Sequence, residues 1–332
     1  MYEGFDKLIV EISYINFSNV RARWVLAMRF NRLDLNLLVA LDHLLHLRSV
    51  SASAARMNMT QSAMSNALLR LREYFDDDLL AKVGRRLELT PRGEALKDAV
   101  RDVLVRVEWT IAIKSQFDPA QSDREFTILV SDYTLATLVP QLLTACQKVA
   151  RHVRFNFQYQ YDVPERLLDR GDVDLLIIPT EFRSKRHPSE VILEEEFLGI
   201  VWKHGKLARS KITRRDFVEA SHVVMQPPGG AQSLETVFFK QQGVTRRVDV
   251  TTYSFNTIPL LIVHTDRIAT IHGRLARQAA AKLPLKVVEL PFRLPRMKQA
   301  IQWHKYRAQD EGLIWLRALI REVVDRPSNR QD

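Results

Sequence analysis

The 332-residue chain contains a single cysteine, Cys146. One thiol excludes an intramolecular disulfide and a thiolate metal cluster, a usage that fits a reducing, cytoplasmic compartment. No apolar run reaches the ~18 residues of a membrane helix; the stretch from Ile258 to Val263 stops at His264, Asp266 and Arg267. The first 27 residues scatter Glu3, Asp6 and Glu11 among apolar positions and do not read as a secretion signal. Met28 precedes a strongly patterned segment, so residues 1–27 read either as the product of an upstream start or as a real extension, and no function is assigned to them. Catalytic motifs are also missing: there is no Gly-x-Ser-x-Gly elbow, no phosphate-binding Gly-x-x-x-x-Gly-Lys segment and no convincing carboxylate pair. Nine histidines form no recognisable ligand cluster; His43 and His46 share a helix face without a third ligand. The expectation is a non-enzyme with no metal and no cofactor.

Present instead are 46% apolar and 27% charged residues, an ordinary globular balance spread over two or three compact units at ~150 residues each. Forty-nine basic residues against 39 acidic ones leave a net charge of +10, which favours polyanionic partners.

After Asp34, suited to an N-cap, Leu35, Leu37, Leu38, Leu41, Leu44, Leu45 and Leu47 predict a first helix. Ser49 to Met57, rich in small residues, predicts a second that approaches a neighbour closely. Thr60 then caps a third helix from Gln61 to Phe75. Met64, Leu68, Leu71 and Phe75 fall on its core face, leaving Gln61, Ser62, Ser65 and Asn66 to meet base edges, with Arg70 and Arg72 within reach of phosphates. An ordinary solvated polar face is the alternative. Leu79 to Leu89 has two apolar arms around Gly84, the pattern of a hairpin whose basic tip, Lys82, Arg85 and Arg86, grips phosphate or enters a minor groove unless it is simply a solvated loop.

Thr90-Pro91 opens a long helix in which Leu96, Val100, Val103, Val107 and Ile111 form a partner seam, covered by a second copy of the chain or by another domain of the same chain. Asp118 to Asp123 marks the main domain boundary. Beyond it, strands at Phe126–Val130, Phe155–Tyr159 and Leu175–Ile178 alternate with helices at about Tyr133–Ala150 and Pro164–Arg170. Later strands are expected near 198–202, 223–225, 248–252, 268–271 and 287–290. This alternation predicts an α/β half with mostly parallel sheets. Cys146 lies on an amphipathic pattern and reads as a small core residue, with a redox-sensing thiol as the lesser alternative.

The segments Leu33-Asp34-Leu35-Asn36-Leu37-Leu38, Thr60-Gln61-Ser62-Ala63-Met64-Ser65-Asn66-Ala67-Leu68 and Leu89-Thr90-Pro91-Arg92-Gly93 resemble the LysR-type transcriptional regulators. Ser254 to Pro259 and Asp266 to His272 are similar to the branch of nodulation and aromatic-catabolism regulators, so the likeness covers about Met28 to Val324. The family usually carries proline where this chain has Ser62, which bears on base preference. The resemblance implies an N-terminal winged helix-turn-helix at 28–90, a dimerising linker helix at 91–118 and a periplasmic-binding-protein-like α/β effector domain at 124–325. That domain divides into subdomain I (124–190 and 296–325) and subdomain II (191–295). The crossovers fall near Ser189 to Glu195 and Arg293 to Met297, with ligand between the lobes.

In that frame the effector candidates at strand exits are Ser131, Asp132, Thr134, Tyr161, Pro179, Thr180, Gln226, Phe255, Asn256 and His272. Phe255 and Tyr161 pack a ring; Ser131, Thr134 and Asn256 bond a phenolate or carboxylate. Glu194-Glu195-Glu196 reads as a solvated acidic turn without a role. The leading expectation is a cytoplasmic activator, a homodimer or homotetramer on duplex operator DNA, with RNA polymerase as a further partner and a small organic, aromatic or phenolic effector. The alternative is a small-molecule binding protein whose N-terminal helices only dimerise or bind a partner.

Overall fold

The computed structural model describes residues 33–84, 86–112, 117–160, 163–208, 211–227, 229 and 232–325. It divides into two compact units between Ile111 and Ala112. Expectations for residues 1–27, Arg85 and Tyr161 lie outside the described residues.

In the first unit, α1 (Leu35–Leu47) starts where the Asp34 carboxylate accepts the Leu37 N–H at 2.8 Å. Helix α2 (Val50–Arg56) is capped by Ser49, and α3 (Gln61–Phe75) by Thr60, whose hydroxyl accepts the Ala63 N–H. Leu37, Leu41, Leu44 and Leu45 of α1 pack on Ala54, Met64, Leu68 and Leu71 in one core. Strands β1 (Leu80–Val83) and β2 (Arg86–Leu89) pair antiparallel, from Leu80 opposite Leu89 to Val83 opposite Arg86. Helix α4 (Pro91–Ala112) begins at Thr90, which accepts the Gly93 N–H and donates its own hydroxyl to Asp77 at 2.6 Å. A Cβ on Gly93 would sit 2.5 Å from the Leu79 carbonyl oxygen, so only glycine lets α4 come this close to the turn after α3. The predicted seam is partly used internally: Val100 completes the winged-domain core with Leu96 against it, joined there by Leu104 from outside the seam, while Val103 and Ile111 remain 46% and 77% exposed.

The second unit contains two five-stranded sheets. Strands β3 (Glu125–Val130), β4 (Arg154–Tyr159), β5 (Leu175–Pro179) and β6 (Ser189–Glu195) belong to the first, followed by β7 (Phe197–Trp202), β8 (Ser221–Met225), β9 (Arg247–Thr252), β10 (Ile268–His272) and β11 (Leu285–Val288) in the second. Strand β12 (Met297–Gln302) then returns to the first. The orders are β4-β3-β5-β12-β6 and β11-β7-β10-β8-β9. Both sheets are mixed rather than mostly parallel, because β12 runs antiparallel to β5 and β6, and β7 antiparallel to β10 and β11. Ser189–Glu195 and Met297–Gln302 thus carry ladders instead of bare crossovers. The chain changes lobe at Glu196 and again between Val288 and Met297.

Among the helices of this unit, α5 (Asp132–Thr137) and α6 (Val139–Val149) replace the single expected helix: Pro140 has no N–H to continue the ladder, and the chain breaks at Leu138. The others are α7 (Pro164–Asp169), α8 (Arg214–Glu219), α9 (Leu234–Gln241), α10 (Ile258–Ile262), α11 (Gly273–Lys282) and α12 (Glu311–Asp325). Lobe I buries Phe126, Ile128, Leu142 and Cys146 against Leu316 and Ile320 of α12. Lobe II buries Val223, Ile258, Ile271 and Ala276. Burial pushes the Cys146 thiol pKa up, which favours the unreactive protonated form.

Candidate DNA-reading face and interlobe cleft

On α3 the division of faces follows the sequence. Met64, Ala67, Leu68 and Leu71 are buried, whereas Gln61, Ser62, Ser65, Asn66, Leu69 and Arg70 are exposed. The Ser62 hydroxyl lies 3.0 Å from that of Thr60, at the start of the helix. Arg70 faces Asp34 at 3.6 Å with both side chains more than half exposed, so little holds it back from solvent. Arg72 differs: its guanidinium donates to the Asp78 carbonyl at 2.9 Å and the Leu80 carbonyl at 2.8 Å. These bonds tie α3 to β1 while the side chain remains part-exposed. At the hairpin tip, Lys82, Val83, Gly84 and Arg86 are exposed.

Beneath this surface, the His46 ring and Arg101 converge on the buried Asp42 at 3.2 and 3.4 Å. Burial alone would raise the Asp42 pKa, but the neighbouring His46 ring and Arg101 guanidinium hold it below the usual carboxylate range. The His46 Nδ1 also lies 2.8 Å from the Asp42 carbonyl oxygen, and no group of three or more potential metal ligands occurs among the described residues.

In the second unit a cavity of about 390 Å³ opens between the lobes, within the range of small-molecule sites. Lobe I contributes Ser131, Tyr133, Tyr159, Gln160, Pro179 and Gln299; lobe II contributes Met225, Ser233, Leu234, Phe255 and His272. Five of the expected residues do not line it. Asp132 and Asn256 join the lobes: the Asp132 carboxylate accepts the Ser254 hydroxyl at 2.7 Å and the Asn256 N–H at 3.1 Å, and the Asn256 amide donates to the Asp132 carbonyl at 2.8 Å. Thr134 is buried one layer back and accepts the Gln299 amide at 2.6 Å. Thr180 bonds the adjacent Glu181, and Gln226 points to solvent from the end of β8.

His272 stacks on Tyr133 at 4.0 Å and meets Phe255 edge-on at 4.7 Å. Burial pushes its pKa down to about 3, so the ring is neutral, and its Nδ1 has no partner. The Tyr133 hydroxyl donates to Glu195 at 2.8 Å, and Arg274 at the start of α11 approaches the same carboxylate at 3.4 Å. Burial holds both the Tyr133 and the Glu195 pKa above their ordinary values. Glu195 is accordingly no solvated turn residue: it anchors the cavity wall to the lobe crossover. A Cβ on Gly273 would lie 2.9 Å from Glu196, which explains glycine at this junction.

The chain matches the bacterial regulatory helix-turn-helix domain of the lysR family over residues 35–94 and the LysR substrate binding domain over residues 119–325. It belongs to the LysR family of transcriptional regulators. Among its relatives, nodulation protein D 3 of Mesorhizobium japonicum is 38% identical over 301 residues, 90% of this chain and 100% of the relative. Nodulation protein D 1 of Sinorhizobium fredii is 38% identical over 300 residues, 90% of this chain and 93% of the relative. In fold the LysR-family chain is similar to a full-length OxyR variant from Pseudomonas aeruginosa, with a TM-score of 0.66 at 17% identity over 90% of this chain and 99% of that one. It is also similar to full-length CbnR complexed with its target DNA, with a TM-score of 0.56 at 16% identity over 88% of this chain and 100% of that one.

Several residues in and behind the cleft wall escaped the sequence reading, among them Tyr133, Gln299 and the supporting Glu195. Tyr133 directly follows the selected Ser131-Asp132. Gln299 sits in Met297-Lys298-Gln299-Ala300-Ile301, and its burial becomes legible only once that segment is read as a strand. Glu195 lies inside an acidic run that looks solvated, yet it shares the inward side of β6 with Leu193.

Proposed function

We propose that this LysR-family regulator reads a two-part duplex operator as a homodimer or homotetramer in the cytoplasm, and that a small uncharged aromatic or phenolic effector in the interlobe cavity alters that engagement. The observation that carries the proposal is the exposed polar row Gln61, Ser62, Ser65 and Asn66 on a helix whose opposite side is locked into a core. Such a helix presents short hydrogen-bonding groups at its N-terminal end, as major-groove recognition requires. Arg70, Lys82 and Arg86 supply phosphate contacts, and Arg85, adjacent in sequence, is a further candidate. The exposed Val103 and Ile111 on α4 suit a seam with a second copy. Twin helices of a dimer then engage successive major grooves.

For the effector, the described cavity walls combine Tyr133, Tyr159, Phe255, Met225 and Met297 with Ser131, Gln299 and neutral His272, and none of these lining residues is a lysine or arginine. An uncharged hydroxylated ring fits such a wall better than a carboxylate, which would arrive without a countercharge. A ligand that prefers one lobe arrangement shifts the population of oligomer geometries on DNA. Activation, through contact with RNA polymerase, follows from likeness to the nodulation-regulator branch.

Gel shifts of the full chain on the intergenic region beside its gene, across salt, test the DNA reading: a sequence-selective complex is expected, and sequence-indifferent binding rejects it. A thermal-shift panel of neutral phenols, benzoates and nonaromatic metabolites tests the effector. Stabilisation by phenols is expected, and stabilisation by nonaromatic compounds alone rejects that assignment.

A further inference from the structure

The segment from Lys203 to Arg215 carries six basic residues and no acidic one. The fold gathers its described members at one end of the lobe II sheet. Strand β7 finishes at Trp202, opposite Leu285 at the start of β11, and Lys203 donates its N–H to the Pro284 carbonyl at 3.0 Å. Strand β10 begins at the same end, with Ile268 opposite Val201 and His222. Lys206 is tied to the turn before β10 through its N–H to the Asp266 carboxylate. Lys282, at the end of α11, precedes the Pro284 turn.

Lys203, Lys206, Lys211, Arg214, Arg215 and Lys282 are all exposed. The nearby carboxylates are Asp266, 3.4 Å from Lys206, and Glu219, 2.8 Å from Arg215, both in solvent-exposed pairs that neutralise little, and Asp216 beside Arg215, which accepts the Thr213 N–H and hydroxyl. The cavity-lining Met225 and His272 close the opposite ends of β8 and β10, each five residues long. The basic surface is therefore separated from the effector site by a strand length, roughly 13 Å at ~3.3 Å per residue.

We infer that this end of lobe II is a second, sequence-independent contact for the phosphate backbone of duplex DNA. Its chemistry is that of backbone recognition: several exposed cations on turns and a short helix outnumber the apolar side chains beside them, exposed Val218 and the part-buried Trp202 and Leu207. Protein docking sites instead place aromatic or aliphatic anchors at their centre. Regularly spaced phosphates need no such anchor, and each one neutralised releases counterions and steepens the salt dependence of binding. The inference goes beyond operator reading by α3, because this surface adds affinity without adding base discrimination.

The test is the salt dependence of binding of the full-length protein to a mixed-sequence 30-bp duplex, followed by fluorescence anisotropy between roughly 50 and 200 mM KCl, where phosphate contacts dominate the slope. The variant combining Lys203→Ala, Lys206→Ala and Lys211→Ala should lower the slope of log K against log salt by roughly 2 to 3, at about 0.9 per phosphate, with an unchanged thermal midpoint. The matching triple arginine variant should keep the parent slope. Operator-over-scrambled selectivity should remain at the parent level in both, whereas Gln61→Ala with Ser65→Ala should lose selectivity and keep the slope, which separates failure of this inference from failure of the DNA reading. An unchanged slope in the alanine variant overturns the inference. So does loss of promoter activation with an unchanged slope, which would mark the surface as a protein contact.

Discussion

The α3 surface and the interlobe cleft satisfy their polar atoms in opposite ways. Gln61, Ser65 and Asn66 stand in water on a helix held from behind by Met64, Leu68 and Leu71. In the cleft, Thr134 and Gln299 are buried and bond each other, while His272 Nδ1 and Gln299 Oε1 have no partner at all. A face that must meet many duplexes before finding one keeps its groups solvated, so that wrong contacts cost little. A cavity that selects one small molecule gains from buried polar atoms already fixed in place, because a ligand that fails to complement them leaves them unpaired. The polar groups of the α3 face are thus left to solvent, and those behind the cleft wall are fixed by buried side-chain bonds.

That contrast is most sharply broken at Gly93. Gly93→Ala drives a Cβ into the Leu79 carbonyl, and should cost about 2 to 3 kcal/mol, the upper part of the overpacking range. Urea unfolding of the full chain, monitored on the first transition to move, reads the loss. In the second unit, His272 is the sharpest probe. Its ordinary pKa is 6.5 and burial lowers it to about 3 in the folded chain, so as pH falls below 6.5 the unfolded chain takes up a proton that the folded chain refuses. Stability contributed above pH 6.5 is then lost toward acid, at no more than about 1.4 kcal/mol per pH unit. His272→Phe should flatten unfolding free energy between pH 6.5 and 4.5 by about 2 kcal/mol; a profile parallel to the parent would show that the ring is hydrated.

Smaller effects are expected along the lobe crossover. Tyr133→Phe removes the hydroxyl bond that Glu195 accepts and leaves that buried carboxylate to Arg274 and the Glu196 N–H, a loss of about 1.5 kcal/mol. Ser254→Ala removes one of three bonds across the lobes at Asp132 and should cost about 1 kcal/mol or less. Hydrogen exchange should rise at residues 132–137 and 253–257 in Ser254→Ala while the winged unit stays at the parent rate. Equal changes in both units would erase the distinction drawn above.

The winged unit was legible because its signals are local. Asp34, Ser49 and Thr60 cap the helices they precede, and the apolar steps of α3 sort its two faces without reference to any distant residue. The Arg72 bonds were hidden for the converse reason: its partners are carbonyls six and eight positions along, beyond helical reach, and only the turn after α3 brings them near. In the second unit the strands were mostly visible as apolar runs, and the change of lobe followed from family likeness. The cleft was less so, because it assembles side chains from positions 131 to 299 and a one-residue offset decides between wall and clasp. Tyr133 faces the cavity, whereas Asp132 reaches across to Ser254. Ser131, Pro179, Phe255 and His272 line the space as strand-exit reasoning placed them; Asp132, Thr134, Thr180, Gln226 and Asn256 do not. The register of β11 also shifted, to Leu285–Val288 from the expected 287–290, since its ladder with β7 ends where Val288 meets Gly199.

The central claim is that the exposed row on α3 discriminates base sequence. Its most direct measurement is competitive binding of the parent protein and of the variant combining Gln61→Ala and Ser65→Ala to an operator duplex and its scrambled counterpart at one salt concentration. The account predicts that the operator preference of the variant falls by at least tenfold, consistent with about 1 to 3 kcal/mol per lost base contact, while its sedimentation behaviour matches the parent. An operator preference unchanged in the variant would contradict it.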